Sequence, residues 1–95
     1  VRVLKWLPAA VEDLIAIVDF ISDDNINAAQ QLKDEIEAKA EKLVVHPHVY
    51  RTGRVKGTRE MVVRQNYIVV YAEGDVAVTV LRVLHAAQQW PSTDV

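Results

Sequence analysis

The stretch that most limits the fold runs from Tyr67 to His85. Tyr67-Ile68-Val69-Val70-Tyr71 and the run Val76 to His85 are both apolar and rich in β-branched residues. Between them lies Glu73-Gly74-Asp75, a short polar break with a glycine. This pattern predicts two strands joined by a tight hairpin. A strand wetted on one face alternates apolar and polar residues, whereas Val76 to His85 is apolar at nearly every position. Such a run calls for cover on both faces of the sheet. Arg82 and His85 stand near its end, and a charge taken out of water needs a partner.

The rest of the chain must supply that cover. Its 95 residues suffice for one domain with a small core. Val1 to Leu7 alternates loosely and reads as a first strand. Pro8 suits the first turn of a helix, where its missing N–H is no loss, and Glu12 and Asp13 follow early, favourably placed for the helix dipole. Val11, Leu14, Ile15, Val18 and Ile21 form its apolar stripe, and polar residues at Ser22 to Asp24 end it. Asn25 or Asn27 can cap a second helix with the stripe Ala29, Leu32, Ile36, Ala40 and Leu43. Its opposite face carries charges, with Glu35 and Lys39 at the favourable i, i+4 spacing. The second helix stops before Pro47. A fourth strand-like segment, Thr58 to Val63, puts Arg59, Met61 and Val63 on one face and Glu60, Val62 and Arg64 on the other. Gln65-Asn66 turns the chain into Tyr67.

The order is therefore β-α-α-β-β-β. It predicts an α+β fold: an antiparallel sheet of about four strands with an N-terminal helical hairpin packed on one face. One domain spans residues 1–91, and 92–95 form a frayed tail. A sheet of this size leaves an apolar surface open, and such a surface takes a partner.

Composition excludes several function classes. The chain has no cysteine, hence no disulfide framework, thiolate metal site or cysteine nucleophile. No apolar run approaches the roughly 20 residues that span a bilayer, and Val1 to Leu7 is too short for a signal peptide, so a cytoplasmic protein without a membrane partner is the plain reading. His46 and His48 flank Pro47 without an acidic or thiol companion, which is too sparse for a metal site; no cofactor is called for.

Charge is unevenly spread. Residues 1–45 hold five basic and nine acidic side chains, a balance of −4, and residues 46–95 hold six basic and four acidic, a balance of +2. Arg51, Arg54, Lys56, Arg59 and Arg64 lie within fourteen residues, with only Glu60 against them. This is a candidate surface for a polyanion or an acidic partner. A solvated loop and strand edge would look the same.

Several segments resemble the RelE/ParE superfamily of bacterial toxins. They are Gly57-Thr58-Arg59-Glu60-Met61-Val62-Val63, Tyr67-Ile68-Val69-Val70-Tyr71 and Leu81-Arg82-Val83-Leu84-His85-Ala86-Ala87-Gln88-Gln89-Trp90-Pro91. Trp6-Leu7-Pro8-Ala9-Ala10 and Asp13-Leu14 match the family's usual opening. The resemblance implies the toxin of a type II toxin–antitoxin pair, held in a hetero-oligomer by a small antitoxin that is partly disordered alone and folds as it wraps the toxin. Val76, Val78, Val80, Leu14 and Val18 are the candidate antitoxin contacts.

The superfamily divides by chemistry. Its nuclease members cut mRNA on the ribosome and commonly carry an arginine directly after the strand tyrosine, where this chain has Ile68. An aliphatic side chain can neither transfer a proton nor hold a phosphate. The other branch poisons DNA gyrase by protein contact, and the resemblance is closer to that ParE branch. Should the chain be a nuclease, Arg59, Arg64, Arg82 and His85 are the candidate catalytic residues. Arg51, Arg54, Lys56, Arg59, Arg64 and Trp90 are the candidates for contact with the target. A structural reading competes: Arg82 pairs with a carboxylate at the helix–sheet boundary and His85 hydrogen-bonds backbone at a turn. A third alternative is a non-toxic remnant that only binds antitoxin.

Overall fold

The computed structural model describes residues 2–88 and Trp90. The elements are β1 (Val3–Trp6), α1 (Pro8–Ser22), α2 (Ile26–Lys42), β2 (Arg51–Thr52), β3 (Arg59–Val63), β4 (Tyr67–Glu73) and β5 (Ala77–His85). They make one sheet of order β1-β5-β4-β3-β2 with the helical hairpin on one face. The α+β expectation holds, with two differences. The sheet has five strands, because Arg51 and Thr52, in a stretch read as irregular, pair with Glu60 and Arg59. It is also mixed, since β1 runs parallel to β5. The helical hairpin returns the chain before β2, and three antiparallel reversals then leave β5 pointing the same way as β1.

Local chemistry sets the helix ends. Pro8 occupies the first turn of α1. The Asn25 side chain caps α2 by accepting from the Ala28 amide at 3.0 Å. The first turn of α1 holds no acidic residue, so Glu12 and Asp13 sit too far along to serve the dipole; Asp13 does different work, described below. The α2 stripe is buried as its spacing requires, from Ala29 through Ile36 to Leu43.

The stripe on α1 is split. Ala10 and Leu14 point into the core with Ile17 and Ile21 packed against it, while Val11 and Ile15 are exposed, Ile15 by 55%. This helix is apolar on more than the one face that a core can use.

Apolar side chains cover the sheet on both sides. The helix-facing core joins Leu14, Leu32 and Ile36 to Met61, Val63, Val69, Tyr71, Val78, Val80 and Val83. The opposite face buries Ile68, Val70 and Leu84 beneath Leu81 and Trp90. A register shift between β4 and β5 changes the alternation: Tyr71 faces Val80 but Val70 faces Arg82, so Leu81 is the extra residue of a bulge. Helix-facing positions thus pass from Val78 and Val80 to Val83. The buried Tyr71 hydroxyl donates to the Pro47 carbonyl at 2.6 Å and ties the loop after α2 to the sheet. Among the described residues no helix is long and apolar enough to cross a membrane. The tail expected to fray, 92–95, lies outside the described residues.

Candidate functional site

The outer face of α1 lines an apolar groove of about 490 Å³. Val11, Leu14, Ile15 and Val18 come from the helix, Trp6 from β1, and Lys33 and Glu37 from α2, with Asp19 at the margin. Lys33 and Glu37 pair with each other at 3.1 Å along α2. A charged rim around an apolar floor is the usual anatomy of a protein contact surface. Two candidate partner contacts, Leu14 and Val18, lie in this groove. Val76 is exposed beside β1, its carbonyl accepting from the Val3 amide. Val78 and Val80 are wholly buried under the helices. Those two are corrected: the bulge and the parallel pairing with β1 place them in the core, where a partner cannot reach them. Val11, Ile15 and Trp6 line the groove beside them but were not among the candidate partner contacts. The excess apolar width of α1 was the signal that could have found them.

Most of the candidate cations are drawn to partners in different parts of the fold. Arg82 Nε and Nη2 donate to the two oxygens of Asp13 at 2.6 and 3.0 Å. Those hydrogen bonds hold the Arg82 guanidinium above its ordinary pKa, against the opposing effect of burial. Asp13 also accepts from the Val83 amide at 3.0 Å. Pairing with β1 stops at Trp6 opposite Val80, so the carboxylate takes over where the neighbouring strand runs out. Arg82 Cζ lies 5.6 Å from the ring centroid of Trp90, close enough for a cation–π contact.

At the other edge, Arg51 Nη2 and Arg54 Nε donate to Glu60 at 3.0 and 3.2 Å, and the Arg54 amide donates to it at 3.0 Å. Glu60 is only 2% exposed. Burial pushes its carboxyl up, but the hydrogen bonds from Arg54 and Arg51 outweigh this and leave it below its ordinary 4.5. Arg59 Nη1 donates to the Tyr50 carbonyl at 2.8 Å.

Arg64 departs from the strand alternation expected of it. Arg64 and Gln65 have φ of 55° and 65°, and this left-handed turn re-aims Arg64 to Glu35 of α2 at 2.8 Å. That hydrogen bond lowers the Glu35 carboxyl. His85 Nδ1 accepts from the Ala87 amide at 3.2 Å, and the ring meets Tyr67 edge-on at 5.6 Å. The structural reading of Arg82 and His85 is therefore the one observed. Arg59, Arg64, Arg82 and His85 thus each have a different hydrogen-bond partner. Trp90 lies half-buried on the second face of the sheet. His48 Nε2 lies 2.9 Å from Glu73, and among the described residues no cluster of three metal-ligating side chains occurs.

A family model described as the ParE toxin of the type II toxin–antitoxin system parDE matches residues 4–90. The chain belongs to the ParE toxin family. It is 35% identical over 89 residues to a Sinorhizobium fredii protein named "Putative toxin Y4kP", covering 93% of this chain and 92% of that one. It is 32% identical over 83 residues to toxin RelE2 of Caulobacter vibrioides, covering 87% and 93%. Its fold matches a chain from the chromosomal ParDE toxin–antitoxin system of P. aeruginosa with a TM-score of 0.78, over 88% of this chain and 95% of that one. At 22% identity that likeness speaks for the fold alone. In this ParE-family toxin the position after the β4 tyrosine, Ile68, is buried in an apolar cluster with Val70 and Leu84.

Proposed function

We propose that this toxin acts by protein contact with DNA gyrase rather than by cutting RNA, and that an antitoxin neutralises it by covering the α1 groove. One observation carries the first half: two of the candidate phosphate-holding arginines are committed to carboxylates in separate parts of the fold. Arg82 is held by Asp13 and Arg64 by Glu35, while Arg59 gives one N–H to the Tyr50 carbonyl at the β2 side of the sheet. RNA cleavage needs a proton donor or acceptor and a cation within reach of one phosphate. Ile68, deep in an apolar cluster, contributes neither.

The groove supports the second half. Leu14 and Val18, with Val11, Ile15 and Trp6, form an apolar floor of a size that the side chains of an amphipathic segment can fill. The antitoxin then supplies the cover that the fold lacks on the outer side of α1.

Two assays decide the target. Purified protein added to a gyrase supercoiling reaction should inhibit it, and the same protein added to a translating extract should leave mRNA 5′ ends unchanged. Codon-phased cuts with normal supercoiling would assign the chain to the ribosome-dependent nucleases. Silence in both, with harmless expression, would mark it as a non-toxic antitoxin binder. For the groove, Ile15→Asp should lose antitoxin binding while its melting temperature stays close to that of the parent, because Ile15 is exposed.

A further inference from the structure

The basic loop between β2 and β3 is divided in two by Glu60. Arg51 and Arg54 are both paired with that one buried carboxylate. Lys56 and Arg59 are not. They line a separate cavity of about 370 Å³ with Thr52, Val55 and Glu73. Lys56 is exposed and forms no ion pair with a described residue. Arg59 spends one N–H on the neutral Tyr50 carbonyl, so its charge is uncompensated while the side chain is half-buried. The one carboxylate in the lining, Glu73, is already occupied by Arg2 at 3.1 Å and His48 at 2.9 Å. The cavity thus presents two unspent cations next to a carboxylate already paired with Arg2.

The loop that holds them is preformed. The Gly53 amide donates to the Thr58 carbonyl at 2.7 Å, and the Thr58 amide and hydroxyl donate to the Val55 carbonyl at 3.1 and 2.6 Å. A Cβ at Gly53 would fall 2.2 Å from the Thr58 hydroxyl oxygen, and Gly57 has a φ of +84° that L side chains rarely adopt. A side chain at Gly53 would shift the loop, and one at Gly57 would sit on a strained backbone. The geometry points to an anion site: we propose that this cavity binds the phosphate of a small phosphomonoester between Lys56 and Arg59, with the Thr52 hydroxyl as a further donor. Phosphate oxygens accept charge-assisted hydrogen bonds from both side chains, and the cavity is within the range that holds a ligand of nucleotide size. This site is independent of the α1 groove and of the gyrase reading.

The test is an NMR amide titration of the full chain at constant ionic strength, with inorganic phosphate in one arm and adenosine 5′-monophosphate in the other. Saturable shifts centred on residues 52–59 are expected in both arms. Tighter binding in the second arm would show that the cavity also takes the nucleoside, and equal binding would confine recognition to the phosphate. Lys56→Ala should weaken affinity about tenfold, the loss of one charge-assisted contact, with an unchanged spectrum elsewhere. Lys5→Ala removes an equal charge from β1 at the opposite sheet edge and should leave affinity within about twofold. Non-saturating shifts, shifts centred outside 52–59, or equal weakening by Lys56→Ala and Lys5→Ala would overturn the proposal.

Discussion

Two carboxylates serve the two halves of the sheet with the same chemistry and different consequences. Asp13 accepts a backbone amide and an arginine fork from β5, across 69 and 70 residues of sequence. Glu60 accepts a backbone amide and two arginines from the six to nine residues that precede it. The first docks a helix onto a strand; the second shapes a loop. Asp13 and Arg82 are 17% and 30% exposed, whereas Glu60 is buried beneath arginines that are 59% and 44% exposed. Loss of the distant pair therefore undoes tertiary structure, while loss of the local one releases two cations into water.

The sharpest way to break this comparison is Asp13→Ala. It leaves a half-buried guanidinium and the buried Val83 amide without an acceptor, so a loss of about 3 kcal/mol is expected in a denaturant melt. A double-mutant cycle with Arg82→Ala should return a coupling energy above about 1 kcal/mol. Additive losses would show that the pair does not couple the layers.

Glu60→Gln should cost less, about 1 kcal/mol, because the two arginines rehydrate in place. It also tests the pH dependence. The folded carboxyl lies below its ordinary 4.5, so its contribution is fully present above that value and is lost as pH falls through the folded pKa. Melts of the parent should show stability declining in that acid window, and Glu60→Gln should flatten part of the decline. An unchanged acid limb would place the sensitivity elsewhere, with Glu35 the next carboxyl to try.

Two smaller effects ask whether crossing between layers or burial sets the worth of an ion pair. Gln65→Gly relieves a positive φ in the turn that aims Arg64 and should stabilise by up to about 1 kcal/mol, since glycine takes that conformation without steric cost. Arg64→Ala breaks a pair that also joins helix to sheet, but between side chains 42% and 30% exposed. Its loss should stay within about 0.5 kcal/mol. A loss near that of Asp13→Ala would mean that reach, not burial, decides.

Much of the scaffold was legible from residue spacing. Pro8, Asn25 and the α2 stripe announce the two helices, and both are where the pattern puts them. The two-faced cover of β5 follows from its unbroken apolar run. The site was less legible. Five clustered basics look like one patch in the chain, yet three carboxyl or carbonyl partners divide four of them between Glu60, Tyr50 and Glu35. Nothing in the spacing linked Arg82 to Asp13, or showed that a bulge at Leu81 would shift the strand's alternation.

By itself the amino-acid order determined the two helices and the four longer strands, and that the chain carries more apolar surface than one small core can hide. Those are local matters, set by side-chain periodicity and by capping within a few residues. Only the tertiary structure decided that β1 lies parallel to β5, that Val78 and Val80 go inside while Val11 and Ile15 stay outside, and which acid each arginine meets. These depend on register and on how the helical layer sits over the sheet. They bring together groups tens of residues apart, and no short-range pattern encodes that.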